Sequence, residues 1–322
     1  MTDTLCGILN VDKPAGLTSH QVVVIVRRLA RQRKVGHAGT LDPMATGVLL
    51  VCLGKATRVT QYLMRSPKVY QAVIHLGIST TTHDIEGQVT RESPVCVTRQ
   101  EAEAALKQFI GHVKQVPPMY SAIKRDGQPL YKLARRGISV ERPPREVTIH
   151  SLRITAWAPP IVHLTIRSGP GTYIRALARD LGEALGCGAH LCALRRTRSG
   201  QFSVAHAVTL EQLQGAFAIG TGATLLHPLD AAFYRLPAIR LDAEMSLRLA
   251  MGQQVQDPGG AGQSRRARAY GPGDQFIALV HRDPSTGDWK PHQVFVAPDR
   301  CDALAWRALH HLPDNRPYAR TD

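Results

Sequence analysis

Twelve residues, Gly36-His-Ala-Gly-Thr-Leu-Asp-Pro-Met-Ala-Thr-Gly47, constrain this chain more than any other stretch. Three glycines and a proline within them rule out a regular helix or an unbroken strand. The segment is therefore a shaped loop, and it runs straight into the apolar, strand-like run Val48-Leu-Leu-Val-Cys-Leu53. Asp42 is its only carboxylate. Pro43 biases Asp42 toward an extended backbone, and Gly39 lets another chain come close. Two readings stay open on these residues alone: an acid presented to a ligand, or a structural Asx-turn.

The charge balance narrows the choice of ligand. The 322 residues carry 40 Lys+Arg against 25 Asp+Glu, a formal net charge of +15, and arginine supplies most of it. Guanidinium groups suit bidentate contact with phosphates, so a polyanion is the expected partner, nucleic acid ahead of a membrane. A basic surface kept for solubility is the alternative. No apolar run reaches the roughly 20 residues that span a bilayer, and the first six residues lack the features of a signal peptide. Six cysteines in a chain of this length do not make a disulfide framework. Cys187 and Cys192 flank His190 but lack a second pair at zinc spacing, so no metal is expected. The expected compartment is the cytoplasm.

The pattern along the chain implies two domains, residues 1–233 and 234–322. In the first, Gly7–Val11 reads as a strand, and Ser19 as the cap of a helix with Val22, Val23, Val26 and Leu29 on one face. Residues 56–64 read as a short helix. Tyr70, Ala72, Ile74 and Leu76 alternate along a strand. Thr98 and Glu101 form a capping box for a helix closed by Gly111. Residues 114–146 mix eight basic residues with Tyr120 and Tyr131 between proline pairs. They read as a projecting basic insertion, suited to a phosphate backbone or simply solvated. Residues 161–167 form a strand leading to a helix that starts at Thr172. Arg175 then falls in the first helical turn, where the helix dipole disfavours a cation, so a partner acid is expected nearby. In the second, mostly β domain, 236–241 and 276–280 read as strands, 242–251 as a helix, and Asp257 to Gly273 as a long loop. The tail, residues 313–322, is expected to fray.

GHAGTLDPMATG resembles the catalytic loop of the TruB-type pseudouridine synthases, which isomerise U55 in the T-loop of transfer RNA. Lys13-Pro-Ala-Gly16, Gly169–Arg175 and Leu194-Arg-Arg196 resemble the family's other motifs, in order. The resemblance implies an α+β fold with a mixed, mainly antiparallel sheet flanked by helices. It implies Asp42 as the catalytic acid paired with Arg175, and Tyr70 stacking on the base and serving in the final proton removal. It implies that Tyr173 and Leu194 line the base pocket and that His37 fills space left by flipped nucleotides. The reaction is an isomerisation and calls for no cofactor. The basic insertion argues for a stand-alone monomer acting on the tRNA T-arm without guide RNA or protein partner. Residues 236–322 weakly resemble a PUA domain, an RNA-binding module. A tRNA-binding or RNA-folding protein with incidental catalysis is the competing reading, and a hydrolase using Asp42 lacks an obvious second acid.

Overall fold

A computed structural model describes residues 5–297 apart from 122, 126, 135 and 139. The expected fraying of residues 313–322 lies outside them, as do Arg135 and the side chains of Lys124, Arg125 and Tyr131. The chain divides into two compact units between His227 and Pro228. That is six residues before the expected boundary, for a packing reason. The 3-10 turn Leu229–Phe233 belongs to the second unit: the Tyr270 hydroxyl donates to Asp230 at 2.6 Å, and the Phe233 ring lies 5.9 Å from that of Phe276.

The first unit opens with β1 (Gly7–Lys13), α1 (Ser19–Leu29), β2 (Val35–His37) and β3 (Thr46–Leu53). Residues 47–53 of β3 are all buried, as expected of a continuous apolar strand covered on both faces. α1 buries Val22, Val23 and Val26, but its cap is Thr18, not Ser19. Thr18 has Gln21 three residues on, so the two close a capping box; Ser19 is freed to bond elsewhere. A 3-10 turn and α2 (Thr60–Arg65) lead to β4 (Lys68–Leu76), whose buried positions are the expected alternate ones. β5 (Ile78–Thr80) and β6 (Val89–Glu92) form a separate ribbon.

α3 (Arg99–Lys107) has the expected capping box but ends at Lys107. Gly111, expected to close it, instead opens β7 (Gly111–Gln115) with φ of +101°. β8 (Lys124–Arg125), β9 (Gln128–Pro129) and α4 (Leu130–Ala134) follow, then the long β10 (Arg145–Ala158). Because Gln115 pairs with Arg145 and Lys114 with Glu146, both ends of the expected insertion are core strands. The excursion itself is residues 116–144. β11 (Ile161–Ser168), α5 (Ile174–Ala184), β12 (Ala189–Ser199), β13 (Phe202–Ser203) and α6 (Leu210–Ala218) complete the unit.

Its main sheet runs β1-β3-β12-β4-β11-β10-β7, with β2 added to β3 and β13 to β12. Every pairing is antiparallel except β3 with β12, so the sheet is mixed and mainly antiparallel. The apolar faces of α1 and α5 share one core with β1, β3, β4, β11 and β12. β3 and β12 meet only at Thr46–Gly47, beside the acid loop.

The second unit is small and mostly β: β14 (Ala238–Arg240), β15 (Arg266–Gly271), β16 (Gln275–Arg282) and β17 (Trp289–Val294), in that order, with α7 (Ala243–Ala250). β15 corrects the expected long loop. Its buried face is Ala267, Ala269 and Gly271 and its other face Arg266, Arg268 and Tyr270, so it lacks the apolar alternation that marks a strand.

Candidate active site

The acid loop joins β2 to β3 and is held from three sides. From below, the fully buried Lys13 ammonium donates to the carbonyls of Pro14 (2.8 Å), Leu17 (2.6 Å) and Pro43 (3.2 Å). The Gly16 amide donates to the same Pro43 carbonyl at 2.9 Å, so the Pro14–Gly16 turn is stitched to the residue after Asp42. From α1, the Ser19 hydroxyl donates to the Leu41 carbonyl at 3.1 Å and accepts from its amide at 2.8 Å. From β12, the buried Arg196 guanidinium donates to the carbonyls of Val48 (2.7 Å), Gly39 (3.1 Å) and Thr40 (3.3 Å). Gly47 is required where β12 crosses: its φ is +98°, and a Cβ there would stand 2.2 Å from the Arg196 carbonyl oxygen.

Asp42 meets Arg175 through a two-pronged contact, Nε to Oδ2 at 2.9 Å and Nη2 to Oδ1 at 3.0 Å. This is the planar fork that fixes a carboxylate in both distance and plane. Arg175 stands in the first turn of α5, and the conflict with the helix dipole is resolved by acid, as expected. A second carboxylate, Asp84, lies 3.4 Å from Nη1, and the Tyr120 carbonyl accepts from Nη2 at 2.7 Å. Asp84 reaches the site because its loop is pinned to β12: the Ile85 amide donates to the Leu191 carbonyl, and the Leu191 amide to the His83 carbonyl. The Asp84 side chain is 3% exposed and that of Asp42 32%, so Asp84 faces inward and Asp42 is the more exposed of the two.

Burial pushes the Asp42 carboxyl above the usual carboxylate value; Arg175 pulls it back, Asp84 adds to the rise, and Lys13 opposes it. Lys13 in turn is brought down to about 8, first by burial. Glu86, whose amide donates to Asp84, is raised by burial and then by Asp84 and Asp42. His83 falls to about 4 through burial and the charges of Arg179, Arg175 and Arg142, and is neutral near pH 7.

Tyr70 lies on β4 opposite Ile166 of β11 and Arg196 of β12, 8% exposed and in the same core as Leu41 and Ala45. Leu194, also in that core, pairs with Ala72, two residues from Tyr70 on the same face of β4. Tyr173 is the N-cap residue of α5. It uses no side-chain cap; instead its backbone is bracketed by the Gln115 amide, and burial pushes its hydroxyl's pKa up. The structure thus joins Asp42 to Arg175 directly and sets Tyr70 and Leu194 in the core of the same unit. His37 stands apart, ending β2 opposite Val51, and among the described residues it makes no hydrogen bond or ion pair with Asp42. Burial, Arg196 and His20 lower its pKa.

Sequence reasoning missed Asp84, Gln115 and the loop-holding roles of Lys13, Ser19 and Arg196. Lys13 and Arg196 lie in quoted motifs, so their position was a signal; Asp84 and Gln115 carried none. Among the described residues no cluster of three His, Cys, Asp or Glu side chains is placed to hold a metal. His190 instead bonds the Ile78 carbonyl through Nδ1 at 2.9 Å and stacks on His75.

Comparison with known proteins matches the chain to a family. The N-terminal domain model of the TruB family pseudouridylate synthases matches residues 27–174, and the tRNA pseudouridylate synthase B C-terminal domain model matches residues 175–233. The tRNA pseudouridine synthase B of Ralstonia pickettii is 46% identical over 276 residues, covering 84% of this chain and 86% of that protein. The protein of the same name from Pseudomonas aeruginosa is 47% identical over 258 residues, covering 79% and 85%. Among solved structures, a chain of a Cbf5-Nop10-Gar1 complex aligns with a TM-score of 0.71 at 28% identity, over 92% of this chain and 86% of that one. The matched span contains Asp42, Tyr70 and Arg175, and on this evidence the chain belongs to the TruB family of pseudouridylate synthases.

Proposed function

We propose that the chain converts U55 in the T-loop of tRNA to pseudouridine, with Asp42 acting on a uridine flipped out of the stack. The observation that carries this reading is the Arg175 fork on a part-exposed Asp42, on a loop held by Lys13, Ser19 and Arg196. An ionised carboxylate held in one plane is what attack at the sugar or base, or removal of a sugar proton, requires. The bond between N1 and C1′ breaks, a bond between C5 and C1′ forms, C5 gives up its proton and N1 takes one. Atoms and electrons balance without a cofactor.

Tyr70 offers a ring for the extruded base, and its hydroxyl takes part in removing the C5 proton. Tyr173 and Leu194 line the base pocket, and His37, at the outer end of the acid loop, occupies T-loop space vacated by flipped nucleotides. The basic excursion 116–144 grips the phosphate backbone. With a clamp of its own, the enzyme works as a monomer in the cytoplasm, without guide RNA or protein partner. The names of its bacterial relatives support tRNA as the substrate.

The test is incubation with unmodified tRNA transcript and nothing else but buffer and salt, followed by digestion and nucleoside analysis. Pseudouridine is expected in wild-type transcript and absent when U55 is replaced by C. Modification that persists in the U55C transcript, or that requires a guide RNA, overturns the assignment.

A further inference from the structure

We infer that Gln115 is a positioning residue for this reaction: its amide, clasped to the Tyr173 backbone, sets how Arg175 meets Asp42 and ties that geometry to the seating of the basic insertion. The inference rests on the function proposed above. Gln115 is the last residue of β7 and is 3% exposed. Its Nε2 donates to the Tyr173 carbonyl at 3.0 Å, and the Tyr173 amide donates to its Oε1 at 2.8 Å. A carboxylate only accepts and an ammonium only donates, so an amide suits a backbone segment that presents both groups. Tyr173 caps α5 and Arg175 follows two residues later, which makes the clasp the anchor of the turn that aims the guanidinium.

The residues after Gln115 grip α5 twice more. The Val116 carbonyl accepts from Arg179 Nη2 at 3.4 Å, and the Tyr120 carbonyl accepts from Arg175 Nη2 at 2.7 Å. The Tyr120 bond uses the same nitrogen that holds Asp42 Oδ1. Residues 115–120 are also the outgoing root of the excursion, whose return strand pairs back onto Gln115 at Arg145. One short segment is therefore both the base of the RNA clamp and a wall of the catalytic ion pair. A displacement of the excursion moves the Tyr120 carbonyl and so reaches Arg175, while Gln115 keeps the helix start still. Turnover then depends on a seated insertion, and loss of the clasp loosens catalysis more than binding.

The experiment compares the full-length wild type with Gln115→Met, which keeps length and bulk but bonds neither backbone group. The substrate is an unmodified T-arm stem-loop, with kcat, KM, the pH profile of kcat and the melting temperature measured. Expected are a KM within about twofold of wild type and a kcat lower by about tenfold or more, since small misplacements of reacting groups are costly. The acid limb of kcat should move to higher pH, because a misaligned Arg175 opposes the rise of the Asp42 pKa less effectively. A merely structural role would change the amount of folded enzyme and leave that limb in place. Gln115→Glu, which keeps the acceptor and loses the donor at neutral pH, should shift both readouts the same way, and it decides the matter if the Met variant does not fold. Variants with a kcat within about twofold of wild type and an unmoved limb would overturn the inference. A wild type that makes no pseudouridine would instead sink the functional reading itself.

Discussion

Arg175→Lys tests whether the fork, rather than the charge alone, is what Asp42 needs. Arg175 spreads its donors over four groups: Asp42 at 2.9 and 3.0 Å, Asp84 at 3.4 Å, the Tyr120 carbonyl at 2.7 Å and the Thr82 carbonyl at 3.5 Å. A lysine ammonium concentrates three donors on one atom at the end of a flexible stem and cannot lie flat against a carboxylate. The positive charge survives, so the nearly buried Asp84 keeps a counter-ion and the fold should hold. Arg175→Met would not allow that separation, because breaking a buried pair costs about 3–5 kcal/mol of stability. With lysine, Asp42 loses one of two charge-assisted hydrogen bonds, worth about 1.5–3 kcal/mol. If that bond serves the transition state, kcat should fall by roughly 10- to 150-fold at 1.36 kcal/mol per decade. KM for a T-arm stem-loop should change little, since Arg175 is buried, only 5% exposed. Steady-state turnover alongside thermal melting provides the assay. A lysine variant with unchanged melting and a kcat within about threefold of wild type would refute the claim that the planar fork matters.

Asp42→Asn should fold, bind RNA and give no turnover. Because burial raises the Asp42 pKa, the ionised group works against the fold near neutral pH, so the melting temperature of this variant should not drop; for the same reason wild-type kcat should fail on acidification at a pH above the ordinary carboxylate range. Lys13→Met strands three carbonyls and unstitches Pro43, and it should cost about 2–4 kcal/mol in chemical denaturation. The buried Lys13 releases its proton near 8 while an unfolded lysine holds it to about 10.5, so this group adds stability as pH climbs through that window, and the gap between wild type and Lys13→Met should widen there. Tyr70→Phe should bind RNA normally and turn over slowly, whereas Tyr70→Leu should also bind poorly, by about 1–3 kcal/mol of lost base stacking. A fully active Phe variant removes the hydroxyl from the chemistry, and a fully active Leu variant removes Tyr70 from the site.

The Asp42–Arg175 ion pair was legible through the family resemblance, and on the Arg175 side also through a local contradiction. Arg175 stands where a helix dipole disfavours a cation, so it asks for a partner acid, whereas Asp42 on its glycine-rich loop reads alone as an acid presented to a ligand or as an Asx-turn. Asp84 posed no such question; it is one polar residue in Thr80-Thr-Thr-His-Asp84, and it is the backbone bridge to Leu191, with hydroxyl bonds from Thr80 and Thr82, that holds it inward. Gln115 was silent for another reason. Its partner is a peptide group, which every residue carries, so no side-chain type in the sequence marks the contact. The helix cap at Thr18 was readable and misread: Gln21 stands three residues after Thr18, and the reciprocal box that this spacing permits outranks the hydroxyl of Ser19. β15 was hidden because its inward positions are alanine and glycine, chosen for close approach of α7 and not for bulk.

Among the described residues of the first unit four cations are nearly or fully buried, and the way they are satisfied bears on how its acid is presented. Lys13, Lys68 and Arg196 bond backbone carbonyls: Lys68 takes those of Leu63, Met64 and Ser66 at the end of α2, and Arg196 those of the acid loop. A carbonyl satisfies the donor but leaves the charge unneutralised, so each of these residues both ties a loop and adds positive potential around it. Arg175 alone is met by carboxylates, and of its two acids Asp84 is the inner one, free to balance the guanidinium while Asp42 faces out. Positive potential of this kind suits a polyanionic partner, and at Asp42 it is Arg175 and Lys13 that oppose the upward shift burial imposes. Replacing Lys13 or Arg196 therefore does two things at once, loosening the loop and lowering the potential. Of the two, only the second can be offset by lowering the ionic strength, and that difference separates them experimentally.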